Sequence, residues 1–303
     1  MKILVTGASG FIGSHLIKEL DGEVYGMVRW TAAKREHEGY IPVFCDLRDY
    51  HNVAKVIKDI RPSCVVHLGA ITPVSLSFER PHEYFDINVM GTINLAEANL
   101  RYNEYLEKFV FAGTPEEYGI QEELPIKEDA PLKPNSPYAV SKAAASLYLQ
   151  YMHKAYDFPT VISRHANCYG RKEQTHFVIE SIVTQMLSSE KVCLGDPMPV
   201  RDFLYIDDVC KAYKMLIQKG EKGEVYNFGM GRGYSIKEAA ELAEKVTGFC
   251  GAVYWHTLPA RTGEILELVL DSTKAGKELG WHPNTDLESG LRKVADHWRD
   301  KLR

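Results

Sequence analysis

Tyr138 and Lys142 stand four residues apart in Tyr138-Ala139-Val140-Ser141-Lys142. On a helix they share one face. An ammonium beside a phenol favours the phenolate and lowers the tyrosine pKa. Such a pair can exchange a proton with a sugar hydroxyl while hydride moves to or from a nicotinamide. The same spacing also fits an ordinary surface pair, so it needs company. Upstream lies Phe111-Ala112-Gly113-Thr114-Pro115-Glu116-Glu117-Tyr118-Gly119. Thr114 can hydrogen-bond the hydroxyl that Tyr138 titrates, and Glu116 is a candidate base near the sugar. Glu117 reads equally well as a solvated loop residue. Near the N-terminus, Thr6-Gly7-Ala8-Ser9-Gly10-Phe11-Ile12-Gly13 follows an apolar run. Gly7 allows a tight turn, Gly10 lets backbone approach a pyrophosphate, and Gly13 lets a helix pack closely on a sheet. The helix N-terminus then offers N–H groups and its positive dipole end to that pyrophosphate.

These residues need a frame, and the first half of the chain has the pattern of one. Short apolar runs at 2–6, 23–28, 41–45, 64–68, 108–112 and 160–164 read as strands buried on both faces. Amphipathic stretches at 11–20, 50–60, 82–103 and 137–156 read as the helices between them. This alternation predicts an α/β fold, a Rossmann-type doubly wound parallel sheet. Right-handed crossovers bring every strand's carboxyl end to one edge, where ligands bind. After about residue 167 the alternation weakens. Helices are expected at 177–187, 206–218, 236–246, 272–279 and 287–298, with short strands at 191–194, 225–228 and 266–270. The expected division is 1–166 for the dinucleotide-binding domain and 167–303 for a smaller, mostly helical lobe, with the chain crossing between them.

Composition narrows the function. In 303 residues, 45% are hydrophobic and 25% charged, which excludes long disorder and fibrous or disulfide-scaffold classes. The net charge of −5 disfavours general nucleic-acid binding, which needs a large cationic face. No apolar run is long enough to span a bilayer. Met1-Lys2 leads into a short apolar run that a Gly-rich turn ends at once, unlike a signal peptide, so a cytoplasmic location is expected. Six cysteines without a C-x-x-C pair read as reduced thiols, and eleven histidines without H-x-x-x-H spacing argue against a metal site.

The second strand bears on the cofactor. NAD-binding folds usually carry an acid at its end for the ribose 2′-hydroxyl. Here Val24-Tyr25-Gly26-Met27-Val28-Arg29 ends on Arg29, with Lys34 and Arg35 soon after. A guanidinium suits a 2′-phosphate in charge and fork geometry, which favours NADP, with NAD the second choice.

The three pieces, in this order, resemble the extended short-chain dehydrogenase/reductase family and, within it, the nucleotide-sugar epimerase/dehydratase branch. Further matches are Asp46-Leu47, His67-Leu68-Gly69-Ala70, Asn88, Arg164-His165-Ala166-Asn167-Cys168-Tyr169-Gly170, Arg201 through Val209, Arg261-Thr262-Gly263-Glu264 and Leu279-Gly280-Trp281. The resemblance implies a triad of Thr114, Tyr138 and Lys142, with Lys142 also on the nicotinamide ribose. It implies cofactor contacts from Gly7, Ser9, Gly10, Phe11, Ile12, Gly13 and Arg29, from Asp46 and Leu47 beside adenine, and from Leu68 and Ala70. It implies contacts to a nucleotide-diphosphate sugar from Ser77, Asn167, Phe177, Arg201 and Arg261. For Arg201 an intramolecular pair with Asp202 or Asp208 is the alternative. Members of the family often dimerise through the tyrosine helix and the one before it. The apolar content of 137–156 on several faces fits that use, so a homodimer is expected.

Three reactions of the branch share hydride exchange at sugar C4: 4,6-dehydration, reduction of a 4-keto-6-deoxy sugar and 4-epimerisation. In the dehydratases a glutamate two residues before the Tyr-Gly tyrosine removes the C5 proton, and Glu116 has that position before Tyr118. Thymidine-type dehydratases carry an aspartate just before this glutamate, where this chain has Pro115. GDP-mannose dehydratases lack that aspartate and favour NADP, and Arg29 and Phe177-Val178 resemble them. GDP-4-keto-6-deoxymannose reductases share the Glu-Glu-Tyr-Gly ending. The order of preference is dehydratase, reductase, epimerase, with a GDP-mannose-type substrate. A catalytically inactive NADP-sensing relative would be expected to lack Tyr138 or Lys142.

Overall fold

Strand β1 (Lys2–Thr6) enters the interior at once, with Ile3, Leu4 and Val5 completely buried. It pairs in parallel with β2 (Glu23–Val28) on one side and β4 (Cys64–His67) on the other. Strand β3 (Ile41–Phe44) extends the sheet beyond β2, while β5 (Lys108–Ala112), β6 (Thr160–His165) and β10 (Val225–Phe228) extend it beyond β4. The order β10-β6-β5-β4-β1-β2-β3 is the doubly wound arrangement expected, now with seven strands. The computed structural model describes residues 1–32, 38–171, 175–259 and 262–302. Lys34, Arg35 and Arg261 lie outside the described residues.

The crossover helices are α1 (Phe11–Leu16), α2 (Tyr50–Ile60), α5 (Gly91–Tyr102) and α6 (Pro137–Tyr156). Helix α6 is defined at both ends. The Ser136 hydroxyl accepts from the Ala139 N–H at 3.1 Å, Pro137 takes the first turn, and Asp157 closes the helix at φ 52°. The stretch expected as one helix over 82–103 is more broken. After α3 (Val74–Glu79), α4 (Pro81–Tyr84) runs into a wider turn at Phe85–Met90, where the Gly91 N–H bonds the Asp86 carbonyl, before α5 begins. An i→i+5 turn of this kind frees carbonyls and re-aims side chains.

By internal contacts the chain forms two units. The first comprises 1–119, 131–164 and 210–226, and the second 120–130, 165–209 and 227–303. A single cut at residue 166 leaves two of these segments on the other side. The second unit holds β7 (Asn167–Tyr169), α7 (Val178–Ser188), β8 (Lys191–Cys193), β9 (Val200–Tyr205), β11 (Gly233–Ser235), α9 (Ile236–Thr247), β12 (Ala252–Tyr254), β13 (Glu267–Leu268), α10 (Thr273–Leu279) and α11 (Leu287–Leu302). Helix α8 (Ile206–Lys219) spans the division. Strand β9 is central to a small mixed sheet, parallel to β7 and β13 and antiparallel to β11. Its sequence, Val-Arg-Asp-Phe-Leu-Tyr, hides this, because Arg201 and Asp202 interrupt the apolar run and are both buried. Asp202 can be there because its carboxylate accepts from the N–H groups of Met230 and Gly231 at 2.8 and 3.2 Å.

His67 closes β4 inside the first unit. Its Nδ1 lies 2.6 Å from Thr6 Oγ1 and its Nε2 lies 2.9 Å from Thr92 Oγ1. The Thr92 hydroxyl donates to the Asn88 carbonyl, so it accepts from His67, which fixes the proton on Nε2. The imidazole is therefore neutral, with its pKa pushed down to about 3 by burial and then by the Lys142 ammonium. Between pH 6.5 and 3 the unfolded chain binds a proton that the folded chain refuses, so stability falls as pH falls. Wild-type protein should lose about 1.6 kcal/mol more than His67→Gln between pH 6.5 and 5.0 in urea unfolding, the slope rising toward about 1.4 kcal/mol per unit as the unfolded imidazole becomes fully protonated. Parallel curves for the two proteins would remove the assignment.

Candidate active site

The Gly-rich turn after β1 is closed by sterics. Gly7 adopts φ +68°, and a Cβ there would lie 2.9 Å from the Gly69 nitrogen. A Cβ on Gly13 would lie 2.4 Å from the Gly7 carbonyl oxygen. Among the described residues no side chain caps α1, which begins after Gly10. Its first N–H groups face the turn, as a pyrophosphate cradle requires. Ser9, Phe11 and Ile12 line this turn half buried, and Leu68 and Ala70 follow β4 across from it. These residues fit the phosphates of a dinucleotide.

Arg29 is exposed at the end of β2. Just beyond the neighbouring strand β3, Asp46 accepts from the Arg48 Nε at 3.0 Å and Nη2 at 2.7 Å. Arg48, and more weakly Arg29, hold the Asp46 carboxyl below its ordinary pKa. Leu47 packs over Gly69 and Gly91, and its carbonyl accepts from Asn94 at 2.9 Å.

Thr114, Tyr138 and Lys142 come together behind this edge. Tyr138 and Lys142 sit in the first two turns of α6, both buried. The Thr114 side chain hydrogen-bonds the Tyr138 hydroxyl. Lys142 Nζ lies 4.1 Å above the Phe111 ring. The expected depression of the phenol does not occur in the protein alone. Burial raises the Tyr138 pKa above the ordinary value; the Thr114 bond opposes this, and the charges of Glu116 and Glu117 add to it. Burial also lowers the Lys142 pKa to about 8, against the Glu117 charge. The lysine is therefore near its own titration at neutral pH.

The two glutamates separate. Glu116 is half buried and near enough to Tyr138 to oppose its ionisation. Glu117 is not a solvated loop residue. It is wholly buried, accepting from the Thr114 N–H at 2.9 Å and from Arg164 Nε at 2.9 Å. The sequence carried a signal for this, since Thr114-Pro115-Glu116-Glu117 is a capping box with proline at the first position.

Asn88 is a further part of the site. It sits in the wide turn, with its Nδ2 donating to the Ile71 carbonyl at 3.1 Å and the Ser141 hydroxyl at 3.0 Å. Its Oδ1 accepts from the Ile71 N–H at 2.9 Å. Ser141 donates in turn to the Tyr138 carbonyl at 2.7 Å. One amide thus ties the loop after β4 to α6, the helix of Tyr138 and Lys142. Tyr84 adds a ring edge against Tyr138, 6.2 Å between centroids, with its own hydroxyl bonded to the Pro73 carbonyl. Ser77 is buried in α3 and donates to the Val74 carbonyl at 2.6 Å.

The remaining expected substrate residues belong to the second unit. Asn167 is exposed at the start of β7, and Phe177 caps α7 half buried. Arg201 is buried in β9 and pairs with Glu264. Among the described residues no group of three or more His, Cys, Asp or Glu side chains is placed to hold a metal ion, and no helix is long and apolar enough to cross a membrane.

Comparison with known proteins agrees with this geometry. The family model described as GDP-mannose 4,6 dehydratase matches residues 4–294. A dTDP-D-glucose 4,6-dehydratase of Mus musculus is 32% identical, with 98% of this chain and 88% of that protein covered. A UDP-glucose 4-epimerase of Thermotoga maritima, solved with UDP-glucose, superposes with a TM-score of 0.94 at 30% identity over 100% of both chains. A dTDP-glucose 4,6-dehydratase of Streptomyces venezuelae, solved with NAD bound, gives 0.89 at 27% identity over 99% of this chain and 97% of that one. By the family model and these relatives, and with the doubly wound sheet order, the chain belongs to the extended short-chain dehydrogenase/reductase family of NAD(P)-dependent nucleotide-sugar epimerases and dehydratases.

Proposed function

We propose that this enzyme is a nucleotide-sugar 4,6-dehydratase. The observation that carries the reading is Glu116, a half-buried carboxylate beside Tyr138, whose neighbour Glu117 is already committed to Arg164 and Thr114. A nicotinamide dinucleotide held at the Gly-rich turn would supply the hydride acceptor for C4 and the hydride donor for C6, with C5 taking a proton from solvent, so that no reductant would be consumed. Tyr138 accepts the proton of the C4 hydroxyl, and the Thr114 hydroxyl holds the same oxygen. Lys142 stabilises the phenolate and orients the ribose. Once C4 is a ketone, the C5 proton is acidified, and Glu116 takes it. With Pro115 in place of an aspartate acid, protonated Glu116 hands that proton to the departing C6 hydroxyl, which leaves as water. The reading second in order is 4-epimerisation, favoured by the superposition on the Thermotoga maritima enzyme and by Pro115, since epimerisation needs no proton at C6.

For the substrate, a GDP-mannose-type sugar nucleotide is the first candidate from the family model and dTDP-glucose the second from the named relatives. In this reading Arg201, held by Glu264, and Arg261 meet the diphosphate, with Asn167, Phe177 and Ser77 around the rest of the nucleotide sugar. For the cofactor, Arg29 and Arg48 around Asp46 support a 2′-phosphate and hence NADP, with NAD the alternative. A homodimer is supported by Val140, Leu147 and Tyr151, which are exposed on one face of α6.

The first test is incubation with GDP-mannose, dTDP-glucose and UDP-glucose, with catalytic NADP and products read by mass spectrometry. A loss of about 18 mass units without net NADPH change is expected from one of them, and Glu116→Gln should slow it about 10²–10⁴-fold while hydride transfer at C4 persists. Unchanged mass with an altered C4 configuration by NMR would replace dehydration with epimerisation. Fluorescence titration should show the preference for NADPH over NADH dropping by about tenfold or more in Arg29→Ala, in line with a lost charge-assisted bond. An unchanged preference would return the choice to NAD. Sedimentation at micromolar concentration should give a dimer that Leu147→Glu dissociates, and a wild-type monomer would end that part of the reading.

A further inference from the structure

The Glu117–Arg164 pair lies behind the site and is not assigned a step in the proposed reaction. Both oxygens of the Glu117 carboxylate are engaged, one by the Thr114 backbone and the other by Arg164. The Arg164 guanidinium stacks over the Tyr118 ring, 4.5 Å from its centroid. The pair also explains Gly113. A Cβ there would lie 2.7 Å from Glu117 Oε1, 2.8 Å from the Ser163 carbonyl and 3.2 Å from Arg164 Cγ. The loop after β5 has thus given up a side chain to make room for a buried ion pair. Burying two charges costs several kcal/mol per ion, and an apolar pair of similar volume would pack more cheaply. Capping alone does not require Arg164.

What the pair does hold is Thr114. The Thr114 N–H is fixed by Glu117, and the Thr114 side chain meets the Tyr138 hydroxyl. We propose that Glu117, locked by Arg164, is the positioning residue of the catalytic loop, fixing the Thr114 hydroxyl against Tyr138 and supplying the buried negative charge that faces the Lys142 ammonium. The proposal rests on the reading of Thr114, Tyr138 and Lys142 as the hydride-transfer machinery. Glu117 touches none of the reacting atoms and acts through its neighbours. The groups facing Lys142 are Glu117 from the loop, His67 from β4, which is neutral, and Tyr138 one turn earlier on α6. The Glu117 charge is thus the one that favours the ammonium against its burial.

The decisive measurement needs no substrate. In full-length protein carrying ¹³Cε-lysine, the Lys142 resonance is identified by its loss in Lys142→Met and titrated by NMR. Glu117→Gln should move the Lys142 midpoint down from about 8, by about one unit. Glu116→Gln should leave it in place. Glu117→Asp retains the charge but withdraws the carboxylate from the Thr114 N–H. It should leave the Lys142 midpoint within about half a unit while kcat falls about tenfold at unchanged KM, read with whichever of the three sugar nucleotides above is converted. A folded Glu117→Gln with a wild-type Lys142 titration would overturn the charge role, and a Glu117→Asp with wild-type kcat would overturn the tether. Should Glu117→Gln not fold, Arg164→Met serves in its place: with its cation removed, Glu117 is left to Lys142, so the Lys142 midpoint should rise while kcat falls, and an unmoved midpoint with unchanged kcat overturns both. Absence of turnover on every sugar nucleotide would count against the proposed reaction while leaving the Lys142 titration to decide this one.

Discussion

Lys142, Glu117 and Arg164 bring three formal charges into an interior where each is at most 4% exposed. Charges at such depth persist only when paired and hydrogen-bonded. Arg164 and Glu117 meet that condition with each other and with the Thr114 backbone. Lys142 is less well served: an aromatic face beneath it and the Glu117 charge nearby leave it close to its titration point. The same burial keeps Tyr138 above its ordinary pKa. The site is therefore poised with both protons held. In the proposed reaction a substrate hydroxyl and a dinucleotide would supply part of the environment that releases the phenol proton, and the phenolate would not stand exposed to solvent between turnovers.

The fold delivers these groups to one edge through a small number of rigid connections. His67 joins the Gly-rich turn to α5 through two threonine hydroxyls, with its tautomer set by the direction of the Thr92 bond. Asn88 joins the loop after β4 to the helix of Tyr138 and Lys142. Asn88 lies in the wide turn at Phe85–Met90, and its carbonyl accepts from the Thr92 side chain. The irregularity is placed where α4 and α5 must bend past the site, and it lets polar side chains bridge elements that are far apart in the chain.

Much of this was legible in the residues. Strands buried on both faces have a near-continuous apolar signature, so β1, β2, β4, β5 and β6 stood out, and with them the edge where Thr114 and the Gly-rich turn lie. Helix α6 was equally plain, because Ser136 and Pro137 mark its start. What stayed hidden has a common cause. Strand β9 carries Arg201 and Asp202 inside its apolar run, and their burial depends on Glu264 and on backbone N–H groups distant in sequence. Glu117 looked like surface for the same reason, since Arg164 stands nearly fifty residues away. Periodicity reports which residues prefer the interior, whereas a buried charge is decided by a partner that local pattern does not see. The capping box was the local clue to Glu117, and it speaks to the Thr114 backbone, not to Arg164.

Two adjacent carboxylates with different neighbours bear on how one triad serves several products. In the proposed reading Thr114, Tyr138 and Lys142 serve the hydride exchange at C4 that dehydration, reduction and epimerisation share, so these three residues would not select the outcome. Selection falls to groups one position away. Glu117 points inward and is saturated by Arg164 and Thr114, which leaves it no role in moving a proton at the sugar. Glu116, one residue earlier on the same short turn, is half buried and near enough to Tyr138 to oppose its ionisation. The backbone of a single 3₁₀ turn, Pro115–Glu117, therefore divides structure from chemistry between neighbours. Pro115 contributes by occupying the first position of that turn with no N–H and no acid. In the dehydratase reading, both the removal of the C5 proton and the protonation of the C6 oxygen would come from Glu116 alone, which would confine elimination to a single face of the sugar.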